Sequence, residues 1–271
     1  MPNLNDPLLI ITDLDGSLLD HHTYSWQPAA PWLKKLRVHS LPVVICSSKT
    51  MAEIRVLQNA LGLEGAPFIA ENGAMLHAGS QNAALEQAGG ALGQSYDAIR
   101  SILTELRQTR GFKFFGFGDV DEKRVGEWTG LSPADAALAK QREASETLIW
   151  RDSEDKMQEF AACLAQKGLR LVQGGRFYHV MSEGADKGAA VRWLKDLYHR
   201  RDGRAWRTLG LGDGPNDIGM LQATDYSVII RGYSKTPVDL GPVAHPVYRT
   251  QAYGPEGWNE GLNHFFGQTA E

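Results

Sequence analysis

The chain has few cysteines and no long apolar segment. Its 271 residues include two cysteines, Cys46 and Cys163, which are too few for a disulfide framework or a cysteine-rich metal site. No run approaches the roughly 20 apolar residues that a membrane-spanning helix needs. We therefore expect two buried thiols, a reducing cytoplasmic compartment and no membrane partner.

The sequence also lacks a strong charge of one sign. It has 28 lysines and arginines against 32 acids, a net charge of −4, which argues against a general nucleic-acid binder. The first residues carry no basic stretch before the first apolar run, so we expect no secretory signal peptide. The sequence has no internal repeats and no low-complexity segments. Its length is enough for one large domain or two small ones.

An apolar run near the amino end stops at two acids. Residues 8–19 read Leu-Leu-Ile-Ile-Thr-Asp-Leu-Asp-Gly-Ser-Leu-Leu. A short apolar run of this kind is typical of a strand buried on both faces. Asp13 and Asp15 follow it, and Gly16 permits a sharp turn. Open α/β sheets bind ligands at the carboxyl ends of their strands, so the two acids mark either a ligand site or a solvated turn.

A second apolar run ends in the same way about two hundred residues later. Residues 208–221 read Thr-Leu-Gly-Leu-Gly-Asp-Gly-Pro-Asn-Asp-Ile-Gly-Met-Leu, with Asp213 at the end of the run. Asn216 and Asp217 follow, at the predicted start of a helix. Asn216 has an ordinary structural alternative, since asparagine is a common helix N-cap.

Two further polar residues stand at predicted element ends. Ser47 follows an apolar run, where a hydroxyl either donates to a ligand or completes a turn. Lys187 lies near a predicted helix start, where a cation opposes the helix dipole. A bound anion would compensate that local conflict, although a solvated lysine is the alternative.

Strands and helices alternate in the first and last parts of the chain. We predict strands at residues 8–12, 42–46, 67–70, 208–211 and 226–230, with helices at 27–38, 51–61, 185–197, 215–222 and 254–266. Such alternation predicts an α/β fold with a Rossmann-like, doubly wound parallel sheet.

The middle of the chain has a different pattern. Residues 79–93 are small and polar and are interpreted as a linker. Beyond them we predict helices at residues 96–108, 122–128, 133–141 and 154–166, and strands at 113–117, 146–150, 169–173 and 177–181. The Gly174-Gly175 pair predicts a hairpin between the last two strands. We therefore predict a core of residues 1–79 and 184–271, interrupted by an α+β insert at 80–183.

Four motifs in this order resemble those of the haloacid dehalogenase superfamily of phosphatases. They are Asp-x-Asp-Gly-Ser at residues 13–17, the strand-end Ser47, Asp-Lys-Gly at 186–188 and Gly-Asp-Gly-Pro-Asn-Asp at 212–217. The insert resembles the α/β (C2-type) cap of one branch of that superfamily. Ser17 replaces a commoner threonine, and Ser47 stands where threonine is also frequent.

Looser segments resemble the mannosyl-3-phosphoglycerate phosphatase family within that superfamily. They lie at residues 47–50, 71–73, 116–119, 138–143 and 174–177. The resemblance implies a phosphoric monoester hydrolase of mannosylglycerate biosynthesis, which converts mannosyl-3-phosphoglycerate and water to mannosylglycerate and phosphate. It implies a small phosphorylated sugar or glycerate partner and a monomer or homodimer.

The superfamily resemblance also implies roles for the motif residues. Asp13 would be the nucleophile that forms an aspartyl-phosphate, and Asp15 would protonate the leaving oxygen. Because an anion favours the protonated acid and a cation opposes it, the sequence leaves the pKa of Asp15 open. Mg²⁺ is the implied cofactor, held by oxygen ligands from Asp13, Asp15, Asp213 and Asp217. Phosphate would bind Ser47, Lys187 and Asn216.

The insert and its neighbours supply candidates for binding the rest of the substrate. A glycerate carboxylate requires arginine or lysine, and a sugar requires groups that exchange hydrogen bonds with hydroxyls. The candidates are Lys49, Lys140, Arg142 and Arg176 for the carboxylate, and Glu143 and His179 for the sugar. Each is otherwise a solvated surface residue. We expect the adjacent His21 and His22 to diverge in a loop, and the aromatic residues to lie mostly in the core.

Several other functions are compatible with part of this pattern. A broader sugar-phosphate phosphatase or a phosphomutase would share the core chemistry. A nonenzymatic phosphosugar-binding module would not need Asp15. A metal-dependent glycosyltransferase also uses Asp-x-Asp, but it does not explain the motifs at residues 186–188 and 212–217.

Overall fold

The computed structural model describes residues 1–80, 89–174 and 176–267. Its strands are β1 (Leu8–Thr12), β2 (Val43–Cys46), β3 (Phe68–Ala70), β4 (Met75–His77), β5 (Gly90–Ala91), β6 (Phe114–Gly116), β7 (Ser145–Trp150), β8 (Leu169–Gln173), β9 (Tyr178–Ser182), β10 (Arg207–Gly212), β11 (Tyr226–Arg231) and β12 (Val247–Tyr253). Its helices are α1 (Ala30–Val38), α2 (Met51–Leu61), α3 (Tyr96–Arg110), α4 (Glu122–Thr129), α5 (Pro133–Ala139), α6 (Glu154–Gln166), α7 (Lys187–Asp202), α8 (Ile218–Ala223) and α9 (Gly254–Phe266).

The larger sheet has the strand order β12-β11-β10-β1-β2-β3-β4-β5. The strands from β12 to β3 are parallel, and β4 and β5 are antiparallel additions at one edge. β1 lies centrally, with Ile10 paired to Leu209 on one side and to Val43 on the other. The prediction of a doubly wound, Rossmann-like α/β fold is confirmed.

Both faces of β1 are buried, which explains its uninterrupted apolar sequence. Leu8 and Ile10 pack in a cluster that includes Trp32 of α1 and Trp258 of α9. The alternate residues Leu9 and Ile11 pack in a second cluster, built largely from α7 and α8. Each fully buried aliphatic side chain of this kind contributes about 1.5–3 kcal/mol. The site that follows β1 therefore stands on the most buried strand of the sheet.

The insert forms a separate antiparallel sheet in the order β6-β7-β9-β8. Helices α3 and α6 cover one face, where Leu103 and Phe160 pack with Phe114 and Val180. A smaller cluster joins α4 and α5 to Phe117. The insert thus has two apolar clusters of its own, while its Ala144 and Met181 pack in the cluster that contains Leu8 and Ile10 of the larger sheet.

Hydrogen bonds of Thr50, Arg142 and Glu71 join the insert to loops at the carboxyl edge of the larger sheet. Thr50 Oγ1 donates to the carbonyl of Leu138 at 2.9 Å, and Arg142 Nη2 donates to the carbonyl of Ser48 at 3.0 Å. The carboxylate of Glu71 accepts hydrogen bonds from three groups of the insert, the backbone amides of residues 143 and 144 and the hydroxyl of Ser145. Because Glu71 is fully buried, these bonds fix one side of the insert above the sheet edge.

Strands β4, β5 and β12 were not predicted. β12 reads Val-Tyr-Arg-Thr-Gln-Ala-Tyr and lies at the sheet edge, where only Thr250 is fully buried, so it has no apolar run. β5 has two residues and falls inside the predicted linker, as do residues 81–88, which lie outside the described residues. Gly175 of the predicted hairpin turn lies outside them as well.

The remaining predictions about the whole chain have simple outcomes. Cys46 and Cys163 are both buried and unpaired with each other, as expected. Across the ranges that the structure describes, no helix has both the length and the apolar character needed to cross a bilayer.

Candidate active site

The first two acidic segments meet at the carboxyl ends of β1 and β10. Asp13 follows β1, and its backbone N–H donates to the carbonyl of Leu211 in β10 at 2.9 Å. Ser17 Oγ donates to Asp213 Oδ1 at 3.0 Å. Gly16 has a φ of +87°, and a Cβ there would lie 2.5 Å from Asp213 Oδ2. Glycine is therefore required where the β1 loop passes the Asp213 carboxylate.

Lys187 joins two of the buried acids. Its Nζ lies 2.7 Å from Asp13 Oδ1 and 2.6 Å from Asp217 Oδ1. Lys187 is the first residue of α7, and the Asp186 side chain caps this helix by accepting from the Ala189 amide. Burial alone would lower the pKa of Lys187, but the two carboxylates raise it well above its usual range. The lysine is thus a buried, charged partner of the acids.

Asp13, Asp213 and Asp217 form a compact acidic group. Each offers a carboxylate oxygen, and these oxygens lie within 4.8 Å of one another. Burial, together with repulsion from its acidic neighbours, raises the pKa of Asp13 above its usual range. The same two causes raise the pKa of Asp213. The group therefore concentrates more negative charge than Lys187 neutralises.

This donor set fits a magnesium ion. Mg²⁺ prefers hard oxygen ligands and would relieve the repulsion that raises the two pKa values. Both oxygens of Asp217 already have partners, because Oδ2 accepts from the backbone amides of Asp213 and Gly214 at 3.0 Å and Oδ1 accepts from Lys187. The freer oxygens belong to Asp13 and Asp213, and Asp217 organises the loop that carries Asp213.

Asp15 is held by Lys49. Lys49 Nζ lies 2.9 Å from Asp15 Oδ2 and 3.9 Å from Glu53 Oε1. Burial opposes the charge of Lys49, yet the two acids raise its pKa above the usual range. Asp15 Oδ1 is buried and has no hydrogen-bond partner in the described parts of the chain. One oxygen is thus fixed by a cation, while the other is buried without a partner among the described residues.

Ser47 and Asn216 lie at the same sheet edge. Ser47 follows β2 and is 1% exposed, and its Oγ accepts from the backbone amide of Lys49 at 3.2 Å. Asn216 Nδ2 donates to Asn72 Oδ1 at 3.2 Å. Asn72 follows β3 and has a φ of +56°. The sequence analysis included it in the segment 71–73 that carries the family resemblance but gave it no place in the site. Its position could have been inferred from the sequence, because Asn72 is a polar residue just after β3, the strand next to β2.

A cleft of about 230 Å³ separates this edge from the insert. Its volume lies just below the range of about 300–1,000 Å³ that is usual for pockets of drug-sized ligands, so the cleft suits a small substrate. The sheet-edge loops contribute Asp13, Asp15, Lys49, Asp213 and Asn216 to the lining, and the insert contributes Phe117, Arg142, Thr147, Arg176, Phe177 and His179.

Three predicted substrate residues of the insert line the cleft. Arg142 is buried, and its Nε and Nη2 both donate to Ser145 Oγ. Arg176 Nη1 donates to the carbonyl of Thr129 at 3.0 Å. His179 Nδ1 lies 3.3 Å from Thr147 Oγ1, and burial, reinforced by Arg142, lowers the pKa of His179 to about 3. The imidazole is therefore neutral at ordinary pH.

Lys140 and Glu143 do not line the cleft. Lys140 caps the end of α5, and its Nζ donates to the carbonyl of Val120 at 2.5 Å and lies 3.6 Å from Glu122. The side chain of Glu143 is exposed between two buried neighbours, and only its backbone contacts the sheet edge through Glu71. The structure thus separates these two candidates from the other predicted site residues.

A buried ionic network positions Phe117 in the cleft wall. Glu146 Oε2 accepts from Tyr96 Oη at 2.9 Å, from Arg100 Nη1 at 3.2 Å and from the Gly118 amide at 3.2 Å. Burial raises the pKa of Glu146 even against these bonds. The network therefore holds the turn that presents Phe117.

The prediction that His21 and His22 diverge was wrong. Their rings lie 5.1 Å apart, and each lies 5.0 Å from the ring of Tyr233. A shared aromatic neighbour from a distant loop brings them together, and adjacency in sequence could not reveal it. His21, Tyr24 and Tyr233 line the cleft, so these aromatic residues also depart from the expected core position.

Comparisons with known proteins agree with this architecture. A family model for haloacid dehalogenase-like hydrolases matches residues 10–235, which is most of the chain. The protein therefore belongs to the haloacid dehalogenase-like hydrolase family, and the predicted superfamily resemblance is confirmed.

Solved structures share the fold at low sequence identity. The sucrose-phosphatase from Synechocystis sp. PCC6803, solved with sucrose and phosphate, is 17% identical, with 96% of this chain and 98% of that chain covered and a TM-score of 0.63. Thermoplasma acidophilum 0175 is 19% identical, with 95% of this chain and 97% of that chain covered and a TM-score of 0.67. BT1666 from Bacteroides thetaiotaomicron, described among the phosphatases of this superfamily, is 18% identical, with 96% of each chain covered and a TM-score of 0.65. At these identities the likeness shows the fold alone.

Proposed function

We propose that the protein is a Mg²⁺-dependent phosphomonoester hydrolase that acts on mannosyl-3-phosphoglycerate. The observation that carries the proposal is the pair Asp13 and Asp15 at one strand end. Asp13 lies against Lys187 and two further acids, whereas Asp15 pairs with Lys49 and keeps one buried oxygen without a partner in the part of the chain that the structure describes. Two carboxylates in such different surroundings are suited to two different roles.

Asp13 is the proposed nucleophile. Its carboxylate attacks phosphorus, the bond from phosphorus to the substrate oxygen breaks, and an aspartyl-phosphate forms. Lys187 holds this carboxylate, and the hydrogen bond from the Asp13 amide to the carbonyl of Leu211 holds its backbone, before the substrate arrives. Water then attacks the phosphoryl group and releases inorganic phosphate and the free Asp13.

Asp15 is the proposed general acid and base. It donates a proton to the leaving alcohol oxygen in the first step and takes one from the attacking water in the second. Lys49 fixes one of its oxygens at 2.9 Å and so limits the rotation of this carboxyl group. Ser47, Lys187 and Asn216 are the proposed donors to the phosphoryl oxygens.

Asp13, Asp213 and the backbone carbonyl of Asp15 are the proposed magnesium ligands, with Asp217 in support. When bound, Mg²⁺ neutralises charge between a carboxylate nucleophile and a dianionic phosphate. Without such a cation, the acidic group around Asp13 and Asp213 would repel a dianionic phosphate.

The insert predicted at residues 80–183, apart from β5, which pairs in the larger sheet, is the proposed cap that binds the leaving group. Arg142 lies in the cleft wall, and its Nη1 takes no part in the bonds to Ser48 and Ser145. Together with Lys49 and Arg176, it is suited to the glycerate carboxylate. The neutral His179 is suited to exchange hydrogen bonds with sugar hydroxyls. We exclude Lys140 and Glu143 from the proposed set because of their positions.

A broader sugar-phosphate phosphatase is the alternative, supported by the shared fold of the Synechocystis sucrose-phosphatase. The same core residues would act, but the cap would tolerate several leaving groups. We propose a cytoplasmic monomer or homodimer in either case.

Inorganic phosphate release across a panel of substrates tests the proposal. The panel contains mannosyl-3-phosphoglycerate, 3-phosphoglycerate, mannose 6-phosphate, sucrose 6-phosphate and an aryl phosphate, each with Mg²⁺ and with EDTA. We expect the first compound to lead in kcat/KM by at least about 100-fold, because only it presents both groups that the cleft is proposed to bind. Equal rates on the sugar phosphates would favour the alternative.

The Asp13→Asn variant is the blank for this panel. We expect its turnover to fall by at least about 10³-fold with the fold retained, since loss of a nucleophile removes the covalent route. Asp155→Asn, an exposed acid on α6, is the matched control and should keep full activity. Full activity of Asp13→Asn would contradict the mechanism, and product that keeps its phosphoryl group would indicate a mutase.

A further inference from the structure

Exposed aromatic residues line the sheet-edge side of the cleft. Tyr24 is 37% exposed and Tyr233 is 49% exposed, and both line the cleft with His21. We call these three residues the aromatic wall. They come from two loops, one after β1 and one after β11, and the proposed chemistry at Asp13 uses none of them.

The loop after β1 is built to hold Tyr24 in an unusual conformation. Asp20 Oδ1 accepts from the backbone amides of His22 and Thr23 and from Thr23 Oγ1 at 2.8–3.0 Å. The Tyr24 amide donates to the Asp20 carbonyl at 3.0 Å, and Tyr24 has a φ of +57°. Bulky residues rarely adopt positive φ, and such strain at a cleft indicates a functional position.

Tyr24 lies beside the leaving-group end of the site. The ammonium group of Lys49 lies 5.6 Å from the centroid of its ring, and Lys49 also binds Asp15. Arg176 of the insert reaches across the cleft, and its Nη2 lies 3.5 Å from Tyr24 Oη. A group bound against Tyr24 would therefore belong to the leaving alcohol, whose oxygen Asp15 is proposed to protonate.

Tyr233 is fixed by rings at its sides while much of it stays exposed. It stacks on His21 with centroids 5.0 Å apart and on Tyr253 with centroids 4.7 Å apart. Arg231 lies 4.5 Å from the ring of Tyr253 and extends the stack. Such support fixes the orientation of an exposed ring before any ligand arrives, which lowers the entropy lost on binding.

The opposite side of the cleft has complementary chemistry. Phe117 and Phe177 of the insert pack edge to face at 5.4 Å, and Thr147 and His179 add a hydroxyl and an imidazole to this side of the lining. A ligand ring with an apolar face and a hydroxyl-bearing edge could pack on the aromatic side chains and exchange hydrogen bonds with the polar groups. A sugar ring has this form, whereas a free phosphoglycerate would leave the aromatic residues in water.

We propose that the aromatic wall binds the glycosyl ring of the leaving group, with the ring against Tyr24 and Tyr233. This inference rests on the proposed function, and it assigns the sugar site to loops of the larger sheet in addition to the insert. The insert then contributes Arg142 and Arg176 to the carboxylate and closes the cleft over the ring.

Alanine and phenylalanine variants at Tyr24 and Tyr233 test this assignment. The measured quantity is the kcat/KM for mannosyl-3-phosphoglycerate divided by that for 3-phosphoglycerate, which lacks the sugar. We expect each alanine variant to lower this ratio about tenfold, and each phenylalanine variant to restore most of it because the ring is kept. Phe115→Ala is the control, since Phe115 is equally exposed at 49% but lies outside the cleft lining.

A calorimetric titration with mannosylglycerate gives a readout that needs no turnover. We expect the alanine variants to bind it about tenfold more weakly than the wild-type protein, and thermal melts check that they fold. If the wild-type protein hydrolyses the panel but the ratio and the binding do not change, the aromatic wall has no such role. If the wild-type protein hydrolyses nothing, the proposed function fails, and unchanged binding in the variants would overturn the assignment separately.

Discussion

The sheet edge and the insert build their parts of the cleft in different ways. At the sheet edge, Asp13, Lys187 and Asp217 are almost fully buried and bonded to one another, so their positions are fixed by the strands. In the insert, Arg176 and Phe177 lie on a turn, and Arg142 lies on a connecting segment. The comparison indicates that the residues of the proposed chemistry lie in the most buried and bonded part of the cleft, while those proposed to bind the leaving group lie on connecting segments.

Lys187→Met should break the sheet-edge half of this comparison. The substitution leaves Asp13 and Asp217 buried without their cation, and removal of one partner of a buried ion pair costs about 3–5 kcal/mol. Urea unfolding in EDTA measures the loss. Burial and acidic neighbours already raise the pKa of Asp13, and loss of the cation would raise it further. The folded state would then bind more protons than the unfolded state, and stability would fall as pH rises above the unfolded pKa near 4.

The loss should therefore be larger at pH 8 than at pH 5. Lys195→Met is a suitable control, because Lys195 pairs with Asp225 at a partly exposed position away from the site. An equal loss for both variants at both pH values would show that Lys187 is an ordinary surface cation in energetic terms.

Arg142→Met should reveal how firmly the insert is tied to the sheet edge. Arg142 lies 3.9 Å from Glu71 and donates to the carbonyl of Ser48. Its loss leaves a fully buried carboxylate with neutral donors only, so we expect a destabilisation of about 2–3 kcal/mol. Urea unfolding measures it, and Arg124→Met, an exposed arginine on α4, should cost less than about 0.5 kcal/mol. Equal costs would contradict a role for Arg142 in joining the two regions.

His179→Gln should remove a pH dependence that belongs to the cleft. The pKa of His179 is lowered to about 3, so the folded state binds fewer protons than the unfolded state, in which the pKa is near 6.5. Stability from this group is full above about pH 6.5 and falls as the pH drops. Between pH 7 and pH 5, the wild-type protein should lose about 2 kcal/mol more than the variant. Parallel stability curves in urea would show that His179 is not neutral in the fold.

The same contrast explains how much could be predicted from the sequence. Asp13, Asp213 and Ser47 follow apolar runs, and the carboxyl ends of parallel strands meet at one edge, so the grouping followed from the pattern. Lys140 could not be separated from Arg142 in this way. Both are cations near the end of α5, and only the packing of α5 on α4 turns Lys140 toward Val120.

The aromatic wall could not be predicted for a related reason. Tyr24 and Tyr233 are more than two hundred residues apart, and their loops have no periodic pattern. Tyr233 stacks on His21 because the fold brings the loops after β1 and β11 together, and neither loop's sequence shows this. Strand β12 was missed because its edge position leaves mixed polar residues in place of an apolar run.

Arg176→Ala should have the smallest effect and should separate binding from stability. Arg176 is exposed, and its main contacts are the carbonyl of Thr129 and the hydroxyl of Tyr24, so its loss should change the free energy of unfolding by less than about 1 kcal/mol. The KM for mannosyl-3-phosphoglycerate should rise about tenfold, since a charged hydrogen bond to a carboxylate is worth about 1.5–3 kcal/mol and water replaces part of it. The KM for an aryl phosphate should change little. Lys140→Ala removes a cation of the insert that lies outside the cleft and should leave both KM values unchanged. If Lys140→Ala raised the KM for the carboxylate substrate as much as Arg176→Ala did, the effect would be one of general charge, and the specific position of Arg176 would carry no role.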